Sequence, residues 1–202
     1  MVTHEDASRE LARRHPGVAA LYDRFGPWRM GRLRQSHFAA LARAICFQQL
    51  AGAAAATIHG RFEALFVGPP TAEAVLALPE PKLRSAGLSA AKAASIRDLA
   101  ARVVDGDVRL GSIGRLADAA VVAELTRVRG IGRWTAEMFA MHQLRRLDVW
   151  PVGDLGVRRG FAVLTGRRIP PDERALEPLG DPFRPYRSVA AWYCWRALDP
   201  ER

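Results

Sequence analysis

Two short segments of this 202-residue chain hold residue types and spacings that could do chemistry. The first is Asp148-Val149-Trp150-Pro151-Val152-Gly153-Asp154-Leu155-Gly156-Val157-Arg158-Arg159. Asp154 follows a glycine and precedes a periodic apolar stretch, the pattern of a helix N-cap. An N-cap position keeps a carboxylate ionised, because first-turn N–H groups and the helix dipole favour negative charge. Such a carboxylate can stabilise a developing positive charge or orient a water. Position alone does not single it out, since Asp118 has an equally good cap pattern.

The second segment is Val128-Arg129-Gly130-Ile131-Gly132-Arg133-Trp134-Thr135-Ala136, between two helical patterns. Two glycines one residue apart permit a tight reversal with positive φ. The helix that follows would present its first-turn N–H groups, which bind a phosphate without reading base sequence. Arg129 and Arg133 flank the turn and add charge. A glycine-containing turn between helices is common, so this segment alone is also compatible with a plain connector.

Charge supports the phosphate reading. The chain carries 30 Lys+Arg against 21 Asp+Glu, a formal net charge of +9. Residues 36–125 are nearly neutral, whereas 126–171 hold nine arginines against three acids. A basic excess focused on one stretch predicts a polyanionic partner. Only Lys82 and Lys92 are lysines. GC-rich coding DNA also yields arginine over lysine and abundant alanine, so that ratio is not itself a functional signal.

The elements that must position these segments read as helices. Sustained period-2 alternation is missing, and alanine-rich apolar periodicity runs throughout. His37–Leu50 aligns Phe38, Leu41, Ala42 and Ile45. Ala54–Phe66 aligns Ile58, Phe62 and Leu65, before Gly68-Pro69-Pro70. Thr71 caps a short helix that stops at Leu78-Pro79. Ser89 caps the clearest helix, with Ile96, Leu99, Ala100, Val103 and Val104 on one face. Asp118 is expected to cap a helix with Val121, Val122 and Leu125 inward. Later helices are expected at about 154–165 and 188–198, with Pro170-Pro171 and Pro182–Pro185 in loops.

Several classes are excluded. Two cysteines, Cys46 and Cys194, cannot build a disulfide framework, a four-cysteine zinc site or a four-cysteine iron–sulfur cluster. No run of about 18 apolar residues predicts a membrane span. Met1–Arg14 is polar and lacks the apolar core of a secretory signal. His4, His15, His37, His59 and His142 show no ligand spacing and read as structural or solvated.

With the hairpin, the aspartate loop and the upstream Arg43-Ala44-Ile45-Cys46-Phe47-Gln48-Gln49-Leu50 in this order, the chain resembles the helix–hairpin–helix superfamily of base-excision DNA glycosylases over about residues 36–200. It looks most like the alkylbase (3-methyladenine) DNA glycosylases of the AlkA type. The β-rich N-terminal domain that some of those carry is not expected in a chain this short. The resemblance implies an all-α, two-lobed fold flanking a cleft. One lobe would be about 36–125, the other about 1–35 plus 126–202, with the hairpin motif at about 118–144. It implies a 3-methyladenine DNA glycosylase II that flips an alkylated purine out of double-stranded DNA and hydrolyses its N-glycosidic bond.

The resemblance also assigns residues. Asp154 is the catalytic carboxylate. Trp134, Tyr186, Met138 and Phe47 would line the base pocket, Met138 standing where the AlkA type has an aromatic. Trp192, Trp195 and Trp150 read more readily as core. Gly130, Gly132, Arg129, Arg133 and Thr135 would grip DNA, and Gln49 or Leu50 would fill the gap left by the flipped base. The lyase branches carry a lysine where Trp134 stands, which implies a monofunctional enzyme leaving an abasic site. No organic cofactor is expected. A Na+ or K+ on the carbonyls of Thr126, Val128 and Ile131 is implied by the hairpin. A monomer in the bacterial cytoplasm, on the nucleoid through its DNA, is the expectation. Two rival functions remain open: a non-catalytic lesion sensor of the same motif, and a glycosylase for deaminated or oxidised bases.

Overall fold

The computed structural model describes residues 2–29 and 35–200. All its regular elements are helical, and none of the described helices is long and apolar enough to cross a membrane. The chain divides into two compact units, residues 33–139 and residues 1–32 with 140–202. The expected division at 125/126 thus differs from the observed one. The hairpin packs with the central helices, and the boundary falls inside the helix after it.

The central unit contains α3 (His37–Phe47), α4 (Gly52–Glu63), α5 (Ala72–Ala77), α6 (Glu80–Ser85), α7 (Ala90–Val104), α8 (Asp118–Leu125) and the start of α9 (Arg133–His142). Ser36, Thr71 and Ser89 each cap their helix by accepting a backbone N–H. Phe38, Leu41, Ile45, Phe62, Leu83, Ile96, Leu99, Val121 and Leu125 are buried. Val104 ends the periodic face of α7 but is exposed, because the helix runs past the end of the core there. The helix read as 37–50 stops at Phe47, which leaves Gln48–Leu50 as a loop. Asp118 is the first residue of α8 and Ala117 its cap, with no side-chain cap bond.

The other unit contains α1 (His4–Arg14), α2 (Pro16–Phe25), α10 (Leu155–Thr165), α11 (Glu173–Leu179) and α12 (Arg187–Arg196). Helix α1 opens with a reciprocal capping box between Thr3 and Asp6. Helices α10 and α12 approach closely along a glycine pair. A Cβ on Gly160 would lie 1.8 Å from the carbonyl oxygen of Cys194, and one on Gly156 would meet the Trp195 ring at 2.9 Å. Only hydrogen at these two positions lets α12 lie against the start of α10.

Candidate functional site

Each unit carries its own group of candidate residues. In the unit with the chain ends, Asp154 is the N-cap of α10, as its sequence context predicts. Its Oδ1 accepts the Val157 N–H at 2.8 Å and the Trp195 indole N–H at 3.0 Å. The two donors come from its own helix and from α12, so the carboxylate is fixed from two directions. The indole bond is what the sequence did not reveal. Trp195 lies 41 residues downstream and reads as core. Its only sequence trace is the spacing of Gly156 and Gly160, small residues one turn apart on α10.

Trp195 belongs to an aromatic array. His142 stacks on it at 6.0 Å, Trp28 meets His142 edge-on at 5.8 Å, and Trp192 stacks on Trp28 at 6.1 Å. His4 meets Trp28 edge-on at 4.5 Å. Burial lowers the pKa of His142. Burial, with help from Arg145 and His142, takes His4 down to about 4. Both rings therefore favour the neutral form around pH 7. The array presents faces rather than charges, and aromatic faces attract cations.

The loop that carries Asp154 is anchored at its other end. Arg187 donates to Asp148 through Nε at 2.9 Å and Nη2 at 3.0 Å, and Arg184 adds Nη1 at 2.9 Å. Ser188 Oγ accepts the Val149 N–H, and the Ser188 N–H reaches the Leu147 carbonyl. The Trp150 indole donates to Leu176 and is buried, as a core residue would be. Helix α12 thus holds residues 147–149 at its N-terminus and Asp154 near its C-terminus. Cys194 lies buried beneath, its thiol pushed far up by burial and then by the charge of Asp154. Tyr186 stands half-buried at the N-cap of α12.

In the central unit, the hairpin is built as its glycine pattern predicts, with one difference. Gly130 has φ +77°, whereas Gly132 is not in the left-handed region. A Cβ on Gly130 would lie 2.4 Å from Ser95 Oγ of α7, so both conformation and space demand glycine. Asp98 of α7 accepts the Arg129 N–H at 2.8 Å. Burial raises this carboxyl, but that N–H and Arg102 more than offset it, so it stays ionised below the usual range. Arg129 is exposed, and Arg133 is largely exposed while its Nε reaches the buried Glu137 at 2.8 Å. Thr135 is buried, with its hydroxyl 3.4 Å from Gln48 Nε2. It supports the turn from within, and its side chain does not face an outside ligand. Trp134 is 48% exposed in the first turn of α9, and Met138 is half-buried one turn on.

The loop after α3 holds the two wedge candidates. Gln49 has φ +55°, a left-handed conformation that costs a non-glycine residue about 1–2 kcal/mol. Both Gln49 and Leu50 are exposed. Phe47 is half-buried, with the Arg43 guanidinium 4.1 Å above its ring and His59 at its edge. One face of Phe47 is thereby already covered, which accounts for it as packing. Among the described residues no group of three His, Cys, Asp or Glu side chains could hold a metal ion.

Comparison with known proteins decides the family. The chain matches the HhH-GPD superfamily of base excision DNA repair proteins over residues 42–185, which takes in the wedge loop, the hairpin and Asp154. This chain is a member of the HhH-GPD superfamily. It is 34% identical over 161 residues to DNA-3-methyladenine glycosylase 1 of Schizosaccharomyces pombe, covering 77% of this chain and 70% of that protein. Its structure resembles that of the S. pombe 3-methyladenine DNA glycosylase in complex with abasic DNA, with a TM-score of 0.83 and 30% identity over 94% of this chain and 95% of that one. A DNA-3-methyladenine glycosidase from Bacillus halodurans gives 0.85 at 32% identity, over 95% and 88%. The all-α HhH-GPD fold and membership of a base-excision repair family are thereby established.

Proposed function

We propose that this HhH-GPD protein is a monofunctional DNA glycosylase that releases cationic N-alkylated purines, of the 3-methyladenine and 7-methylguanine type, from double-stranded DNA. The observation that carries the reading is Asp154, whose Oδ1 is fixed by the Val157 N–H and the Trp195 indole within a family whose named relatives are 3-methyladenine glycosylases. An alkylated purine already bears positive charge. The bond from C1′ to the purine nitrogen breaks with its electron pair on the base, which leaves neutral. The positive charge passes to the sugar as an oxocarbenium ion, and an ionised carboxylate opposes it. Water then adds at C1′ and gives up its proton through Asp154 to solvent, leaving an abasic site. Because the leaving group needs no protonation, the second carboxylic acid used by many glycosidases is unnecessary.

The lysine inventory supports hydrolysis without strand cleavage. Trp134 occupies the lyase lysine's place, and Lys92 Nζ donates to the Cys46 carbonyl. The rings around Trp195, and separately Trp134 and Tyr186, each offer an electron-rich face of the kind that attracts a cationic base. Arg129, Arg133 and the first-turn amides of α9 suit a backbone phosphate. The Thr126, Val128 and Ile131 carbonyls are neutral hard-oxygen donors that suit a Na+ or K+. The Val128 carbonyl, which already accepts the Ile131 N–H at 3.1 Å, keeps a second lone pair.

The test is base release from methylated duplex DNA. Wild type should release 3-methyladenine and 7-methylguanine without nicking the strand, and Asp154→Asn should not. Release confined to deaminated or oxidised bases would change the substrate. Salt-dependent DNA binding without release of any lesion would make the protein a sensor.

A further inference from the structure

The central unit contains a polar scaffold that the catalytic reading does not use. The wedge loop is tied to the hairpin directly: Gln48 Nε2 donates to the Gly130 carbonyl at 2.9 Å and lies 3.4 Å from Thr135 Oγ1. Gly130 is the turn residue, and Thr135 sits in the first turns of α9, so one amide spans both sides of the hairpin. The same loop is tied from behind. Lys92 Nζ of α7 donates at 2.8 Å to the carbonyl of Cys46, in the last turn of α3. Three and six residues further along α7, Ser95 packs against Gly130 and Asp98 holds the Arg129 N–H. One ridge of α7 therefore supports the end of α3 and the hairpin together.

Between these ties stands Gln49 at φ +55°. A strained non-glycine conformation persists only where its surroundings over-determine it. Here the residue before it is fixed by its side chain, and the helix end behind it by a lysine. The burial that lowers the pKa of Lys92 leaves its ammonium with a job as hydrogen-bond donor to an end-of-helix carbonyl, where a cation is favoured.

We propose that Gln48 and Lys92 are positioning residues for base extrusion, which hold Gln49 in its left-handed conformation and join wedge loop and hairpin into one rigid element. This rests on the glycosylase reading. When a nucleotide leaves the stack, the gap closes unless something fills it. A wedge fixed to the phosphate grip fills it at a set distance from the gripped phosphate. A loose wedge would let the base fall back before the bond breaks.

The experiment compares a 7-methylguanine in a fully paired duplex with the same lesion in a single-nucleotide bulge, where it is already unpaired. Single-turnover release is measured for wild type, Gln48→Leu and Lys92→Met. Gln48→Leu should lose about 10- to 50-fold on the paired duplex and under about threefold on the bulge, with Lys92→Met following the same pattern more weakly. A purely structural defect would lower both substrates equally, and that result, or full activity on the paired duplex, overturns the proposal. If Gln48→Leu does not fold, Lys92→Met decides. Extrusion is also read without chemistry, from the fluorescence of 2-aminopurine beside the lesion. Should wild type release no base at all, the glycosylase reading fails, and the fluorescence still decides the positioning role. Brightening with wild type but not with Gln48→Leu supports it. Equal brightening, or none with either, overturns it.

Discussion

The loop from Asp148 to Asp154 has an aspartate at each end, and α12 holds both, by different chemistry. Asp148 is held by cations: Arg187, itself only 12% exposed at its side chain, and Arg184. Asp154 Oδ1 is held by a backbone amide and an indole, both neutral. A carboxylate bonded to two guanidiniums has its charge answered locally and serves as an anchor. At Asp154 Oδ1 the two neutral dipoles orient the oxygen without themselves cancelling its charge. The contrast separates the anchoring aspartate from the one proposed to react more clearly than Asp118 could, because both lie on one loop and both are reached by α12.

Substituting each end should therefore damage different properties. The largest effect is expected from Asp154→Asn. Asparagine caps a helix about as well as aspartate, so the melting temperature should barely move. Base release from methylated duplex DNA should fall by about 10³-fold, or ~4 kcal/mol. A comparable loss of stability would erase the contrast.

Asp148→Asn should do the reverse. It leaves the nearly buried Arg187 without its counter-charge, at a cost of about 2–3 kcal/mol in denaturant unfolding. The fraction that remains folded should release bases at close to the wild-type rate. Third, Gly156→Ala places a methyl 2.9 Å from the Trp195 ring and 3.0 Å from Asp154 Oδ1. It should slow single-turnover release by about 10- to 30-fold, or ~2 kcal/mol, with DNA affinity unchanged in a titration. The smallest effect is expected from Trp195→Phe, which keeps an aromatic face and removes one hydrogen bond. About 1 kcal/mol, or five- to tenfold in release rate, is the expected loss. A Trp195→Phe variant with full activity would show that the carboxylate is oriented without the indole bond.

These residues also show what was legible in advance. Asp154, Gly130 and the helix capped by Ser89 announce themselves locally. A cap, a turn and an apolar period are properties of a few consecutive residues. Helix α1 was not visible in this way, because its inward face includes the polar His4 and Ser8 beside Ala7 and Leu11. The short α6 buries only Leu83 and leaves no period to read. The end of α3 at Phe47 goes with bonds between distant segments: Lys92 reaches the Cys46 carbonyl, and the Gln48 side chain reaches the hairpin at Gly130. Trp195 reads more readily as core for the same reason. Its role lies in one hydrogen bond across 41 residues, made possible by what two glycines lack.

The close fit of Gly156, Asp154 and Trp195 has an evolutionary side. In the proposed pocket the aromatic that would sort bases is also the donor that aims the carboxylate. Reshaping the pocket at Trp195 to admit a bulkier lesion would at once disturb the carboxylate proposed to act on the bond. With those proposed roles, selectivity and turnover meet in one side chain, so a lineage that broadens its range has to begin at other positions or accept a slower enzyme on the way.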